Sequence, residues 1–155
     1  MELVSDNGTE VLRKEFFNYL ADLEIMRSMR YQNFATVIIA EPDQGFVDGS
    51  DLRTFAHILK DEFRGTDVIG RLDHNQFAIL LPHADQKGSL TAGERVRKRI
   101  ENYVFPEKQK KTVSLGAASF PSDVTSSNNL IALAEEMLKM AKEKGGNNVC
   151  FPSTC

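Results

Sequence analysis

The sequence predicts an α+β domain in which helices pack against a mostly antiparallel sheet. Three observations predict it. Helical stripes alternate with short β-branched runs, two strand candidates in mid-chain are separated by only three residues, and no linker, repeat or low-complexity segment divides the 155 residues. A chain of that length buries roughly two-thirds of its unfolded surface, so a core needs no disulfide or metal. Residues 1–155 are therefore read as a single domain, with 1–8 and 152–155 expected as poorly ordered tails.

The elements follow in order. Residues 10–30 carry Leu12, Phe16, Leu20, Leu23 and Met26 or Met29 at three- and four-residue steps, an amphipathic helix with Phe16 expected in the core. Ala35 to Ala40 is short, continuous and β-branched, as in a strand covered on both faces. After a turn-rich stretch from Glu41 to Ser50, Leu52, Phe55, Ala56, Leu59 and Phe63 form a second helical stripe. Asp67 to Leu72 and Gln76 to Leu81 read as two strands joined by Asp73-His74-Asn75, which makes His74 an exposed turn residue. A third helix spans about 86–103 on Leu90, Val96 and Ile100. Residues 105–111 form a charged loop, with Lys108 to Lys111 solvated, and Thr112 to Phe120 is a strand. Leu130, Leu133, Ala134, Met137, Leu138 and Ala141 mark a last helix, stopped by Gly145-Gly146 before a short strand at Val149 to Phe151. The order contains β-α-β-β-α-β, the ferredoxin-like split unit.

Composition narrows the function classes. Apolar residues make up 41% and charged residues 26%, which is not the balance of a disordered chain. No apolar run reaches the roughly 18 residues of a membrane span, and the first residues lack the basic and apolar regions of a signal peptide. A cytoplasmic location is the resulting expectation. A net charge of −3 argues against a general nucleic-acid binder. Cys150 and Cys155 could close only a small loop, so reduced thiols are expected. His57, His74 and His83 show no metal-ligand spacing, and no metal site is expected.

Several segments in register resemble the GGDEF domain, the family of diguanylate cyclases that make cyclic di-GMP from two GTP molecules. Asp67 to Pro82 is similar to the hairpin around the family signature. Thr112-Val-Ser-Leu-Gly-Ala-Ala118 is similar to "TVSIGVA", and Ala134 to Asn147 is similar to "ADxALYxAKxxGRN". The resemblance covers about residues 9–151 and implies a sheet of the nucleotidyl-cyclase palm type.

It also implies departures. The signature stands here as Asp73-His74-Asn75-Gln76-Phe77. Asp73 and His74 replace glycines whose lack of a side chain lets the backbone approach nucleotide. Asn75 and Gln76 replace carboxylates, and an amide is a poor ligand for a hard divalent cation. After the first strand, the family's "DxDxFKxxNDxxGHxxGD" is shortened to Ala40 to Ser50, leaving Glu41 or Asp43 near the metal aspartate position. Lys142 matches the phosphate lysine, while the arginine of "GRN" is Gly146. The resemblance therefore implies a degenerate domain without cyclase activity, catalytic residues or cofactor.

A second family feature is kept. Many cyclases bind their product at an inhibitory site built on Arg-x-x-Asp, five residues before the signature. Arg64-Gly-Thr-Asp67 stands at that offset, and the family's "AERIR" helix is matched by Gly93 to Arg97, which places a further arginine at Arg95. An arginine fork pairs with phosphate or the guanine O6/N7 edge, and an aspartate accepts from guanine N1–H and N2–H₂. The implied ligand is cyclic di-GMP, with a ligand-linked homodimer and an effector or sensor protein as partners. On residues alone, Arg64 and Asp67 could be a simple surface pair, and Arg95, Arg97, Lys98 and Arg99 a solvated helix face. Three readings stand: a non-catalytic cyclic di-GMP receptor, a ligand-free dimerisation or docking module, and an enzyme of altered chemistry acting on GTP through Glu41, Asp43 or Asp73 with Lys142.

Overall fold

A computed structural model describes residues 11–44, 49–106 and 109–155. Strand β1 (Leu12–Arg13) runs into helix α1 (Lys14–Tyr31), followed by β2 (Ala35–Pro42), α2 (Gly49–Glu62), β3 (Val68–Asp73) and β4 (Gln76–Pro82). Helix α3 (Gln86–Asn102), β5 (Val113–Phe120), α4 (Ser127–Glu143) and β6 (Val149–Cys150) complete the chain. The sheet order is β1-β3-β4-β2-β5-β6. Its inner four strands, β3-β4-β2-β5, are antiparallel to one another, and the two short edge strands pair parallel to β3 and β5. The expected α+β core with a mostly antiparallel sheet is what forms.

Alternation along the central strand explains the layering. Ile38 and Ala40 face one core with Phe55, Leu59 and Phe63 from the α2 side and Val96 and Ile100 from α3. Val37 and Ile39 face the other core with Phe17, Ala21 and Ile25 from α1 and Leu130, Ala134 and Leu138 from α4. Because successive side chains point to opposite faces, a strand between two helical layers must be apolar throughout. β2 is buried at every position except Glu41. Gly116 on β5 makes the closest approach. A Cβ there would lie 2.0 Å from the Leu138 backbone nitrogen and 2.4 Å from the Ala134 carbonyl oxygen, so α4 sits directly on the strand.

The helices of the α2–α3 layer and α4 follow their stripes, and their ends are set by local chemistry. Asp85 caps α3 by accepting from the Gly88 N–H at 2.9 Å, and Ser126 caps α4 by accepting from Asn129 N–H. Gly145 and Gly146 take φ of +113° and +77° and end α4, which is the conformation glycine tolerates best.

Four expectations change. Residues 12–13 pair with Gly70 and Arg71 as an edge strand instead of opening the first helix. The buried face of α1 is Phe17, Ala21, Glu24, Ile25 and Ser28, not the Phe16–Leu20–Leu23 stripe. Both stripes have helical spacing, so periodicity could not choose between them. Phe16 is only half-buried, and the Glu24 carboxylate inside is met by the Ser28 hydroxyl at 3.2 Å and by Arg27 at 3.6 Å. Lys111 is not solvated but 3% exposed, pairing with Asp51 at 4.0 Å and lying over the Phe105 ring. Lys108 lies outside the described residues, as do residues 1–8.

The fourth change is at the C-terminus. Phe151 and Thr154 exchange two backbone hydrogen bonds, and Cys150 and Cys155 are joined as a disulfide across that turn instead of standing as reduced thiols. The turn is the physical reason, since it brings the two Cα atoms to 4.2 Å. Residues 152–155 form the turn that these contacts close. Among the described residues, no helix is long and apolar enough to cross a membrane.

The Gly116 contact gives the fold its sharpest test. Gly116→Ala should destabilise the domain by about 2–3 kcal/mol, because the backbone of α4 must retreat from β5. Thermal melting should fall by roughly 4–10 °C; an unchanged transition would mean that α4 does not sit on β5 as described.

Candidate functional site

Two regions hold the residues that the sequence singled out. The first lies where β2 ends beside the β3–β4 hairpin. The hairpin turns at His74-Asn75, with Asp73 paired to Gln76 and a register shift just before it. The Asp73 carboxylate accepts from the His74 N–H at 2.8 Å, and Arg71 donates to the His74 carbonyl at 2.7 Å, so the turn is held by its own side chains. Asp73 and His74 are exposed, as a turn requires, while Asn75 and Gln76 are half-buried.

Glu41 and Asp43 leave the end of β2 and take different roles. Glu41 accepts from the Gln76 amide at 3.0 Å and pairs with the Lys142 ammonium. Desolvation pushes Lys142 below the ordinary lysine value, and its contact with Glu41 acts in the opposite sense. Asp43 accepts from Thr112 Oγ1 at 2.6 Å, Ser114 Oγ at 2.5 Å and the Asn147 N–H at 2.8 Å. A Cβ on Gly146 would come within 2.9 Å of the Asp43 carboxyl carbon, so glycine is the residue that fits this packing. Asn147 in turn accepts from Arg97 at 3.2 Å and donates to Glu101 at 2.5 Å, linking this turn to α3. Hydrogen bonds to Glu94 hold the Arg97 guanidinium above its usual range against the opposing effect of burial.

The second region lies on the α2–α3 side. Arg64, Asp67 and Arg95 line one cavity of about 270 Å³, together with Glu62, Thr66 and His83. The structure therefore brings the three expected residues together from the α2–β3 connection and from α3. Asp67 shapes that connection: its carboxylate accepts from the Arg64 N–H at 2.9 Å, and its own N–H donates to the Arg64 carbonyl at 3.0 Å. Arg64 and Arg95 are both exposed. Arg95 approaches Glu62 at 3.5 Å through Nε and donates to the Glu62 carbonyl at 3.4 Å. Glu62 also holds Arg99 at 3.2 Å, and hydrogen bonding to Asp61 first, then Glu62, raises the Arg99 guanidinium.

Glu62 and His83 were not anticipated. Glu62 lies two residues before Arg64 at the end of α2, so its position gave a signal that it would share the arginines' surroundings. His83 gave none. It takes a φ of +64° after β4, and its backbone N–H donates to the Phe34 carbonyl at 2.8 Å. Among the described residues, no group of three or more His, Cys, Asp or Glu side chains is arranged to hold a metal ion.

Residues 49–148 match the family model described as diguanylate cyclase, GGDEF domain. The chain is similar to diguanylate cyclase DosC of Escherichia coli (strain K12), with 28% identity over 161 aligned residues, covering 96% of this chain and 35% of that protein. It is 35% identical over 97 residues to the uncharacterized protein YhcK of Bacillus subtilis (strain 168), covering 60% of this chain and 27% of that protein. The chain spans about a quarter to a third of the length of these curated relatives. The GGDEF domain of DgcB from Caulobacter crescentus, solved in complex with c-di-GMP, superposes with a TM-score of 0.86 at 18% identity, covering 96% of this chain and 92% of that one. The FimX GGDEF domain from Pseudomonas aeruginosa gives 0.86 at 19% identity, covering 94% and 98%. These two likenesses establish the shared fold.

Asp43 is the residue on which the first region turns. Asp43→Ala should cost roughly 2–4 kcal/mol, because two hydroxyls and one backbone N–H lose a charged acceptor. Asp43→Asn, which keeps one acceptor oxygen, should cost less. Urea denaturation of the two variants checks the order; an Ala variant as stable as wild type would remove Asp43 from this role.

Proposed function

The chain belongs to the GGDEF domain family, and within it we propose a non-catalytic receptor for cyclic di-GMP that binds through Arg64, Asp67 and Arg95. The observation that carries this reading is their convergence on one open cavity, although they come from separate parts of the chain. The exposed Arg64 and Arg95 guanidiniums suit a dianionic dinucleotide, either at a phosphate or at the guanine O6/N7 edge. Asp67 uses one acceptor position on the Arg64 N–H, and a carboxylate keeps others for guanine N1–H and N2–H₂. Ligand would take Arg95 from Glu62. An exposed pair of this kind contributes little, and Glu62 keeps Arg99 as its partner. The related GGDEF domain of DgcB, solved in complex with c-di-GMP, supports the choice of ligand.

The same proposal includes loss of cyclase activity. Two-metal phosphoryl transfer needs hard oxygen ligands and a clamp on the transferring phosphate. At the end of β2 the candidate donors are the amides of Asn75 and Gln76 and the carboxylates of Glu41 and Asp43; Glu41 is engaged by Lys142 and Gln76, and Asp43 by Thr112, Ser114 and Asn147. That set does not fit a pair of magnesium ions. Lys142, matched to a phosphate-binding lysine, is paired with Glu41. The bound state would be read out through a ligand-linked homodimer or by an effector or sensor protein.

A ligand-free docking module is the second reading, favoured by the Arg95–Glu62 pair and by the use of Asp67 in its own turn. Calorimetry separates the two. Wild type should release heat with cyclic di-GMP, and Arg64→Ala should weaken binding at least tenfold, about 1.4 kcal/mol. No heat in the wild type leaves the docking reading. Incubation with GTP and magnesium or manganese should yield no cyclic dinucleotide by chromatography; product formation would overturn the inactive assignment.

A further inference from the structure

A further cavity, of about 320 Å³, lies at the start of β2, the end opposite Glu41 and Asp43. Met29 from the last turn of α1, Phe34 just before β2, and Phe120 and Pro121 at the end of β5 form its apolar walls. The sheet register brings them together, since Ala35 pairs with Phe120. Met29 and Phe34 stay 59% and 49% exposed at its rim, an apolar area that neither core uses. The polar lining is uncharged. Ser28, Gln32 and Asn33 supply it, and no residue around the cavity is ionisable. The cavity of Arg64, Asp67 and Arg95 is the opposite case. Burying a charge without a partner is costly, so phosphates, carboxylates and ammonium groups are poor occupants of the uncharged one.

Ser28 decides which neutral molecule fits. It is fully buried, and its hydroxyl donates to the Glu24 carboxylate at 3.2 Å. With its one proton so used, the hydroxyl oxygen offers only lone pairs. The surroundings have the same sign. The Ser28 carbonyl accepts from Gln32 and Asn33 N–H groups, the carbonyls after it lie in the last turn of α1, and a helix C-terminus is the negative end of its dipole. We propose that this cavity binds a neutral, planar aromatic molecule with an N–H donor, of the indole class, the N–H being given to the Ser28 hydroxyl. Small-molecule cavities run from about 300 to 1,000 Å³, and this one stands at the lower end, the size for a two-ring compound. The rings of Phe34 and Phe120 offer aromatic contacts, and the Met29 thioether pairs favourably with a ring edge. An apolar cavity holds water poorly, so an apolar occupant displaces little that was bound well.

This site uses none of Arg64, Asp67 or Arg95 and does not rest on the receptor reading. Indole is the probe, and N-methylindole is the same ring without the donor. In NMR titrations that follow backbone amides, indole should saturably move Gln32, Asn33 and Phe34. His83 should move with them, because its N–H is bonded to the Phe34 carbonyl at 2.8 Å. N-methylindole should bind roughly three- to tenfold more weakly, the loss of one hydrogen bond. Ser28→Ala should erase that difference. Phe34→Ser removes a wall at a half-exposed position, so the fold is retained and both compounds should weaken alike. Absence of a saturable shift at millimolar indole, shifts centred on Arg64 and Arg95, or equal affinity for the two compounds in the wild type overturns the proposal. Octanoate binding more tightly than indole would assign the cavity to an aliphatic anion and overturns it as well.

Discussion

The site end of this domain depends on one carboxylate. Asp43 leaves the central strand where β2 meets β5 and gathers two hydroxyls from β5 and its approach, Thr112 and Ser114, with the Asn147 N–H from the turn after α4. Charge-assisted hydrogen bonds are the strong ones, and three on one group fix three segments relative to each other. Glu41 precedes Asp43 by two residues, so fixing one places the other. The same lock sets the end of α4, from which Lys142 reaches Glu41. Gly146 belongs to this arrangement because a larger residue would collide with Asp43.

The electrostatic plan is one of internal pairing. Glu41 takes Lys142, Glu62 takes Arg95 and Arg99, and Arg97 is shared among Glu94, Glu101 and Asn147. A chain of net charge −3 thus carries nineteen lysines and arginines, several of them held beside carboxylates. Lys142 is exposed like Arg64 and Arg95, whereas Arg97 is half-buried among its three partners. Exposed pairs exchange partners at small cost, whereas breaking a buried pair leaves an uncompensated charge. Both candidate regions thus hold an exposed basic residue beside a glutamate.

Legibility in the sequence varied with how many solutions a pattern allowed. The α2 stripe of Leu52, Phe55, Ala56 and Leu59 had one apolar face, and that face is buried. β2 was a continuous apolar run and could only be a strand covered on both sides. In α1 two interleaved stripes compete, and the sheet receives the one with Phe17 and Ala21, whose small and flat side chains allow close packing beside Gly70. Lys111 read as solvated because a run of lysines usually is. Asp51, which pairs with it, comes from a distant part of the chain, while the Phe105 ring under it opens the same loop. The cysteines read as free thiols because a five-residue separation says nothing about the turn that closes them.

By itself, the sequence determined the α+β class, the order of the inner elements, the family, and the identity of the residues at the signature and at Arg64, Asp67 and Arg95. The class and element order follow from local periodicity and turn chemistry, and the family and those positions from the resemblance of several motifs in register, all of them patterns of neighbouring positions. Only the tertiary structure gave Glu41 and Asp43 their separate partners, tied Arg95 to Glu62, buried Lys111 and turned the second face of α1 outward. Each of those depends on contacts between segments far apart in the chain, and a linear pattern does not carry the distances that settle which charge meets which.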